Sequence, residues 1–150
     1  MLKQANHISS YYVEATCFLY IILWVYAAVS KLMTFNKFQA QLSQSPMLTS
    51  FSEIVAYGIP IAEIALATLL WISVTRYYAL LASFTLMTMF SVYIFLITRY
   101  SSFVPCSCGG VLEKLSWNEH LVVNIGLVLL AALAVLSYPD PAKSTYQPST

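Results

Sequence analysis

Charged residues are scarce in this chain. Only 9% of its 150 residues are Asp, Glu, Lys or Arg, whereas soluble domains have about 25%. So few charges exclude an ordinary soluble domain, which needs a polar surface. Seven basic residues against six acidic ones leave a net charge of +1 without any basic cluster, so no nucleic-acid partner is expected.

Cysteine is scarce too, with three residues in the chain. Cys106 and Cys108 are two positions apart, and Cys17 lies in an apolar run. This pattern excludes the disulfide framework of a small secreted protein, which needs several separated pairs. The cysteines are therefore expected to serve a local chemical purpose.

Hydrophobic residues make up 59% of the chain, and the mean hydropathy is +0.73. Four apolar runs have about 20 residues each, enough for a helix to cross about 30 Å of hydrocarbon. We predict an all-α, polytopic membrane protein with a four-transmembrane-helix bundle in residues 1–138 and the lipid bilayer as its solvent. The predicted spans are about 11–31, 54–73, 79–97 and 118–137, and residues 139–150 are predicted to form a disordered tail. A cleaved signal peptide in the first run is the weaker alternative, because three further runs follow it.

Two local patterns refine this prediction. Phe35, Phe38 and Leu42 recur at helical spacing within the polar connection 32–52, which predicts a short amphipathic helix along the membrane interface. Ser116 with Glu119 three residues later predicts a capping box at the start of the fourth span.

The candidate redox site is the pair Cys106 and Cys108, within Pro105–Gly110 in the longest polar gap between two spans. A disulfide between residues this close is near the geometric limit, and strain makes such a bond easier to reduce. Pro105 restricts the backbone before the pair, and two glycines permit unusual dihedral angles after it. We predict thiol–disulfide exchange; a metal site and two inert thiols are the alternatives, and no metal is assigned.

Polar residues also occur within the spans. Glu63 lies near the middle of the second span, where a carboxylate is costly unless it faces the bundle interior. Lys31 and Asn124 lie in spans that can bring them to Glu63, so these three residues are predicted to form an intramembrane polar core. A structural Lys31–Glu63 pair and a catalytic Glu63 are both open. His120, one turn from Asn124, is the candidate for proton exchange with a thiol.

Cys17 is expected near the opposite end of the bundle from the cysteine pair, so the chain has no second pair to relay electrons. The electrons must pass to a partner protein or directly to a quinone, which is the candidate cofactor. No quinone-binding motif can be identified from the sequence.

Four segments together resemble the DoxX/MauE-like membrane redox proteins over about residues 15–136. They are Ala28–Leu32, Gly58–Ile64, Cys106–Gly110 and Leu115–Asn124. A more distant resemblance is to the vitamin K epoxide reductase bundles. The Gly109–Gly110 ending departs from the Cys-Phe-Gly ending common in the methylamine-utilisation member, so that member's substrate is not carried over.

The resemblance implies a bundle in the bacterial inner membrane, with Cys106 and Cys108 periplasmic and a thioredoxin-like or other envelope protein as partner. Four spans then put both termini in the cytoplasm. The leading hypothesis is a thiol–disulfide redox protein. Its rival is a non-catalytic membrane subunit that scaffolds a larger envelope complex; a small-molecule transporter has thinner support.

Overall fold

The computed structural model describes residues 2–45, 48–100 and 116–138, with side chains described from Ser9 onward. All regular structure in these ranges is helical, and four of the helices are long and apolar enough to cross a membrane. The predicted all-α class with four candidate spans is confirmed. The helices are α1 Leu2–Met33, α2 Phe35–Gln44, α3 Ser52–Trp71, α4 Arg76–Tyr100 and α5 Trp117–Leu136, with a 3-10 turn at Thr49–Phe51.

The ends of α3, α4 and α5 lie within about three residues of the ranges expected from the apolar runs. Helix α1 differs, because it begins at Leu2 rather than near residue 11. A helix can continue into water beyond its apolar segment, since its backbone hydrogen bonds do not depend on the membrane. The part of α1 that is apolar enough to span is Ser9–Met33.

The bundle consists of two main helix pairs. Helix α1 packs chiefly against α3, and α4 packs chiefly against α5, while α3 also contacts α4. Trp24 and Tyr20 of α1 are fully buried between the pairs. The Trp24 indole N–H donates to the Ser83 hydroxyl at 3.0 Å, and the Tyr20 hydroxyl donates to the Leu127 carbonyl at 2.8 Å. Hydrogen bonds between helices contribute to association in lipid, where burial of apolar side chains contributes little.

One end of the bundle holds the beginning of α1, the α3–α4 turn and the end of α5; we call it the terminal end. Arg76 lies 3.7 Å from Glu14, and the rings of Tyr77 and Tyr138 have centroids 5.2 Å apart. Cys17 is buried on α1 within the electrostatic influence of Arg76. Cys17 therefore lies toward the terminal end.

The opposite end is covered by α2, and we call it the α2 end. The predicted amphipathic helix is confirmed, with Phe38 and Leu42 buried against Ala56 of α3. Its apolar face is thus turned toward the bundle. The Tyr93 hydroxyl of α4 donates to the Ser45 hydroxyl at 3.0 Å, which ties the end of α2 to a second span.

The predicted capping box is also confirmed. The Ser116 hydroxyl accepts from the Glu119 backbone N–H at 3.4 Å, and the Glu119 carboxylate accepts from the Ser116 backbone N–H at 2.8 Å. These bonds satisfy backbone donors that have no partner within the helix. They define the residue at which α5 begins.

Candidate functional site

The central residue of the candidate site is Glu63, which lies about 17 Å along α3 from the first residue of that helix. Ala56, Pro60 and Glu63 follow one another at helical spacing on the buried face of α3. Pro60 has no backbone N–H and therefore cannot donate to the Ala56 carbonyl. This face of α3 thus presents polar groups to the bundle interior rather than to lipid.

Lys31 is the partner of Glu63. It lies in the last turn of α1, where the helix dipole favours a cation. Its ammonium nitrogen Nζ lies 2.7 Å from Glu63 Oε1 and donates a longer hydrogen bond to the Ala27 carbonyl at 3.4 Å. The Lys31 side chain is 16% exposed, whereas that of Glu63 is fully buried. The two opposite charges make the pair neutral as a whole.

Two aromatic rings flank the Lys31 ammonium. Nζ lies 6.0 Å from the Phe38 ring centroid and 5.9 Å from the Phe90 ring centroid, within the range of cation–π attraction. The Phe90 ring contacts Trp24 edge to face, with centroids 6.2 Å apart. Groups from α1, α2, α3 and α4 therefore surround the Lys31 ammonium.

The second carboxylate oxygen of Glu63, Oε2, is buried and has no hydrogen-bond partner among the described residues. A buried carboxylate oxygen without a donor is unfavourable, because it has lost its hydration without replacement. The pair therefore leaves one acceptor unsatisfied at a place where the bundle tolerates few polar groups.

His120 and Asn124 lie on the first turns of α5. His120 is half-buried, stacks on Trp117 with ring centroids 6.3 Å apart, and lies within the electrostatic influence of Lys31. Asn124 is buried but forms no described hydrogen bond with Lys31 or Glu63. The structure thus brings Lys31 and Glu63 into direct contact, places His120 within reach of the Lys31 charge, and leaves Asn124 outside the pair.

Cys106 and Cys108 lie outside the described residues, but the chain before and after them is placed. Helix α4 ends at Tyr100, and α5 begins at Trp117. Tyr93 contacts Ser45 beside α2, and His120 lies near Lys31, so both ends of the connection 101–116 emerge at the α2 end. Among the described residues, no group of three His, Cys, Asp or Glu side chains is arranged to hold a metal ion.

Comparison with known proteins extends this geometry. The family model of methylamine utilisation protein MauE matches residues 9–137, which include all four spans and the cysteine connection. The chain belongs to the MauE family. The resemblance to MauE-type proteins is thereby confirmed. No curated protein and no solved structure matches the chain.

This MauE-family chain is therefore a multi-pass membrane protein of a family named for methylamine utilisation. Two residues of its candidate site had no role in the sequence prediction. Phe38 was expected only as part of the amphipathic face of α2, and Phe90 lies in an uncharged span where nothing distinguishes it from other apolar residues. Only the packing of α2 and α4 around Lys31 identifies them.

Proposed function

We propose that this protein is an inner-membrane thiol–disulfide redox protein. Its Cys106 and Cys108 would exchange electrons with a periplasmic partner, either thioredoxin-like or another envelope protein. The observation that carries the proposal is the position of the cysteine connection, both ends of which emerge at the α2 end, where Lys31 and Glu63 form their buried pair.

The exchange balances without an external reagent. A thiolate of the partner attacks the Cys106–Cys108 disulfide, forms a mixed disulfide and releases one cysteine of the pair as a thiolate. The partner's second thiolate then attacks the mixed disulfide and releases the other cysteine. The partner loses two electrons and two protons, and the protein gains them as a dithiol.

The polar residues of the α2 end have separate roles in this proposal. Lys31 and Glu63 hold four helices together around a neutral pair, with Asn124 as a further buried polar residue of the core. His120 lies on the first turn after the cysteine connection and exchanges protons with the thiols.

The orientation follows from the chemistry. A disulfide persists in an oxidising compartment, so Cys106 and Cys108 are assigned to the periplasm. Four spans then place the start of α1 and residues 139–150 in the cytoplasm.

Trapping of mixed disulfides in whole cells tests the proposal. Cys108→Ser removes the cysteine that would resolve a mixed disulfide on Cys106, so acid quenching and alkylation should capture a covalent, reductant-sensitive adduct with an envelope protein. Cys106→Ser is the reciprocal variant. Cys17→Ser is the matched control and should trap nothing, because both cysteines of the pair remain.

The same experiment separates the rival function. A scaffolding subunit is favoured by the presence of only one cysteine pair in the chain. It would purify in a stable stoichiometric complex without any trapped disulfide, and the double variant Cys106→Ser, Cys108→Ser would retain function. Cysteines that stay reduced under every growth condition, together with a functional double variant, would overturn the redox proposal.

A further inference from the structure

We propose that the Lys31–Glu63 pair is a binding site for the head group of a lipid-soluble hydroquinone and its quinone. The inference rests on the proposed thiol–disulfide function and adds the two-electron partner of that reaction. It starts from the fully buried Oε2 of Glu63, which has no hydrogen-bond donor among the described residues.

The pair has one free acceptor and one free donor beside each other. Glu63 Oε2 has no donor, and Lys31 uses two of its three N–H groups, on Glu63 Oε1 and the Ala27 carbonyl. A single phenolic hydroxyl can accept from the third Lys31 N–H and donate to Oε2. Because the ion pair is neutral as a whole, it favours a neutral ligand over a charged one.

The surroundings match an aromatic, membrane-soluble ligand. Phe38 and Phe90 lie about 6 Å from the Lys31 ammonium, and the pair lies within two candidate spans. Lys31 is the more exposed member of the pair, so the ligand's hydroxyl would approach from the Lys31 side. An aromatic ring can pack against these phenylalanines in offset or edge-to-face geometry.

The electron count calls for such a ligand. The chain has three cysteines, and Cys17 lies toward the terminal end, so it cannot form a second relay pair with Cys106 and Cys108. A dithiol at the α2 end therefore needs another two-electron acceptor that reaches it within the membrane.

The redox step balances with the quinone as oxidant. The thiols of Cys106 and Cys108 give up two electrons and two protons, and a bond forms between their sulfur atoms. The two quinone carbonyl groups take up those electrons and protons and become the two hydroxyls of the hydroquinone. Glu63 Oε2 accepts the hydrogen bond of one new hydroxyl.

Binding of a decyl-substituted benzohydroquinone, compared with its dimethyl ether, tests the site. The protein carries Cys106→Ser and Cys108→Ser, so no turnover occurs, and sits in nanodiscs of defined phospholipid without quinone. Trp71→Phe and Trp117→Phe leave Trp24 as the fluorophore, and Trp24 contacts Phe90 beside the site. Quenching of Trp24 fluorescence then reports the Kd of each ligand.

The hydroquinone should bind about tenfold more tightly than the dimethyl ether, because only the hydroquinone donates to Oε2. Glu63→Gln should abolish this preference, since the amide NH₂ that replaces Oε2 is a donor. Lys31→Met should weaken both ligands alike, because both accept from Lys31. Arg76→Gln, which removes the ion pair of the terminal end, is the matched control and should change neither Kd.

Equal affinity of the two ligands for the otherwise unchanged site would overturn the proposal, and would mean that only water satisfies Oε2. This comparison needs no change at Lys31 or Glu63, so it holds even if those variants fail to fold. A tenfold preference that persists in Glu63→Gln would also overturn it. Because the cysteines are already replaced, the result is independent of whether mixed disulfides are trapped.

Discussion

At the residue scale, the Lys31–Glu63 pair is a strong constraint on the sequence of this bundle. Each charge is unfavourable alone within a span, and each is tolerated because the other lies 2.7 Å away. The pair joins the last turn of α1 to the middle of α3, which are the two helices that pack most extensively. Loss of one partner should therefore be worse than loss of both.

Lys31→Met should lower the free energy of unfolding by about 3 kcal/mol, because it leaves the Glu63 carboxylate buried without a counter-charge. The double variant Lys31→Met, Glu63→Leu should regain most of this loss, since apolar side chains then replace the whole pair. Reversible unfolding in mixed detergent micelles measures both changes.

Arg76→Gln is the control for that cycle, because the Arg76–Glu14 pair is longer and Glu14 is exposed. Its effect should be within about 0.5 kcal/mol. Losses that simply add in the Lys31, Glu63 double variant would show that the two residues do not stabilise each other.

At the element scale, the start of α5 is determined locally and the position of α2 is not. The capping box of Ser116 and Glu119 lies within four consecutive residues, so its effect does not depend on the rest of the bundle. Helix α2 has an amphipathic pattern that suits either an interface or a protein surface. Its Phe38 and Leu42 pack on Ala56 of α3, and they cover the end of the bundle where Lys31 lies.

Ser116→Ala should destabilise the first turn of α5 by about 1 kcal/mol, because the Glu119 backbone N–H loses its acceptor. Amide hydrogen exchange at Glu119 should accelerate about fivefold, while exchange at the centre of α5 should not change.

Two variants control this measurement. Ser116→Asp keeps a capping oxygen and should retain slow exchange at Glu119. Ser137→Ala removes a hydroxyl at the other end of α5, where the side chain forms no cap. Unchanged exchange at Glu119 in Ser116→Ala would contradict a stabilising role for the cap.

At the scale of the whole molecule, the bundle has two chemically different ends. The terminal end has an exposed ion pair and stacked tyrosines, whereas the α2 end has the buried pair and both ends of the cysteine connection. Four spans place these two ends on opposite sides of the membrane. The proposed redox chemistry assigns the α2 end to the periplasmic side.

Single cysteines at the two ends should label from opposite sides of the membrane. In a background with Cys17, Cys106 and Cys108 replaced by serine, Ser43→Cys on α2 should react with an impermeant maleimide in intact cells. Val74→Cys, in the exposed α3–α4 turn, should react only after permeabilisation. Labelling of both positions from the same side would contradict the four-span topology, and the reversed pattern would contradict the periplasmic assignment alone.

The sequence by itself determined the membrane class, the number of spans, the approximate helix ends and the cap of α5. These features depend on the length of apolar runs and on contacts within a few residues, which the order of residues contains directly. It also identified Glu63 as a residue that needs a partner, because a carboxylate within a span is costly wherever the other helices lie.

Only the tertiary structure decided which residues meet. From the sequence, Lys31 and Asn124 were equal candidates to approach Glu63, yet Lys31 forms the ion pair and Asn124 forms no hydrogen bond with it. Phe90 became a neighbour of Lys31 although its span has no distinguishing pattern. Contacts between helices depend on which helices pair and how each is rotated about its axis, and a uniformly apolar span leaves both open until the bundle packs.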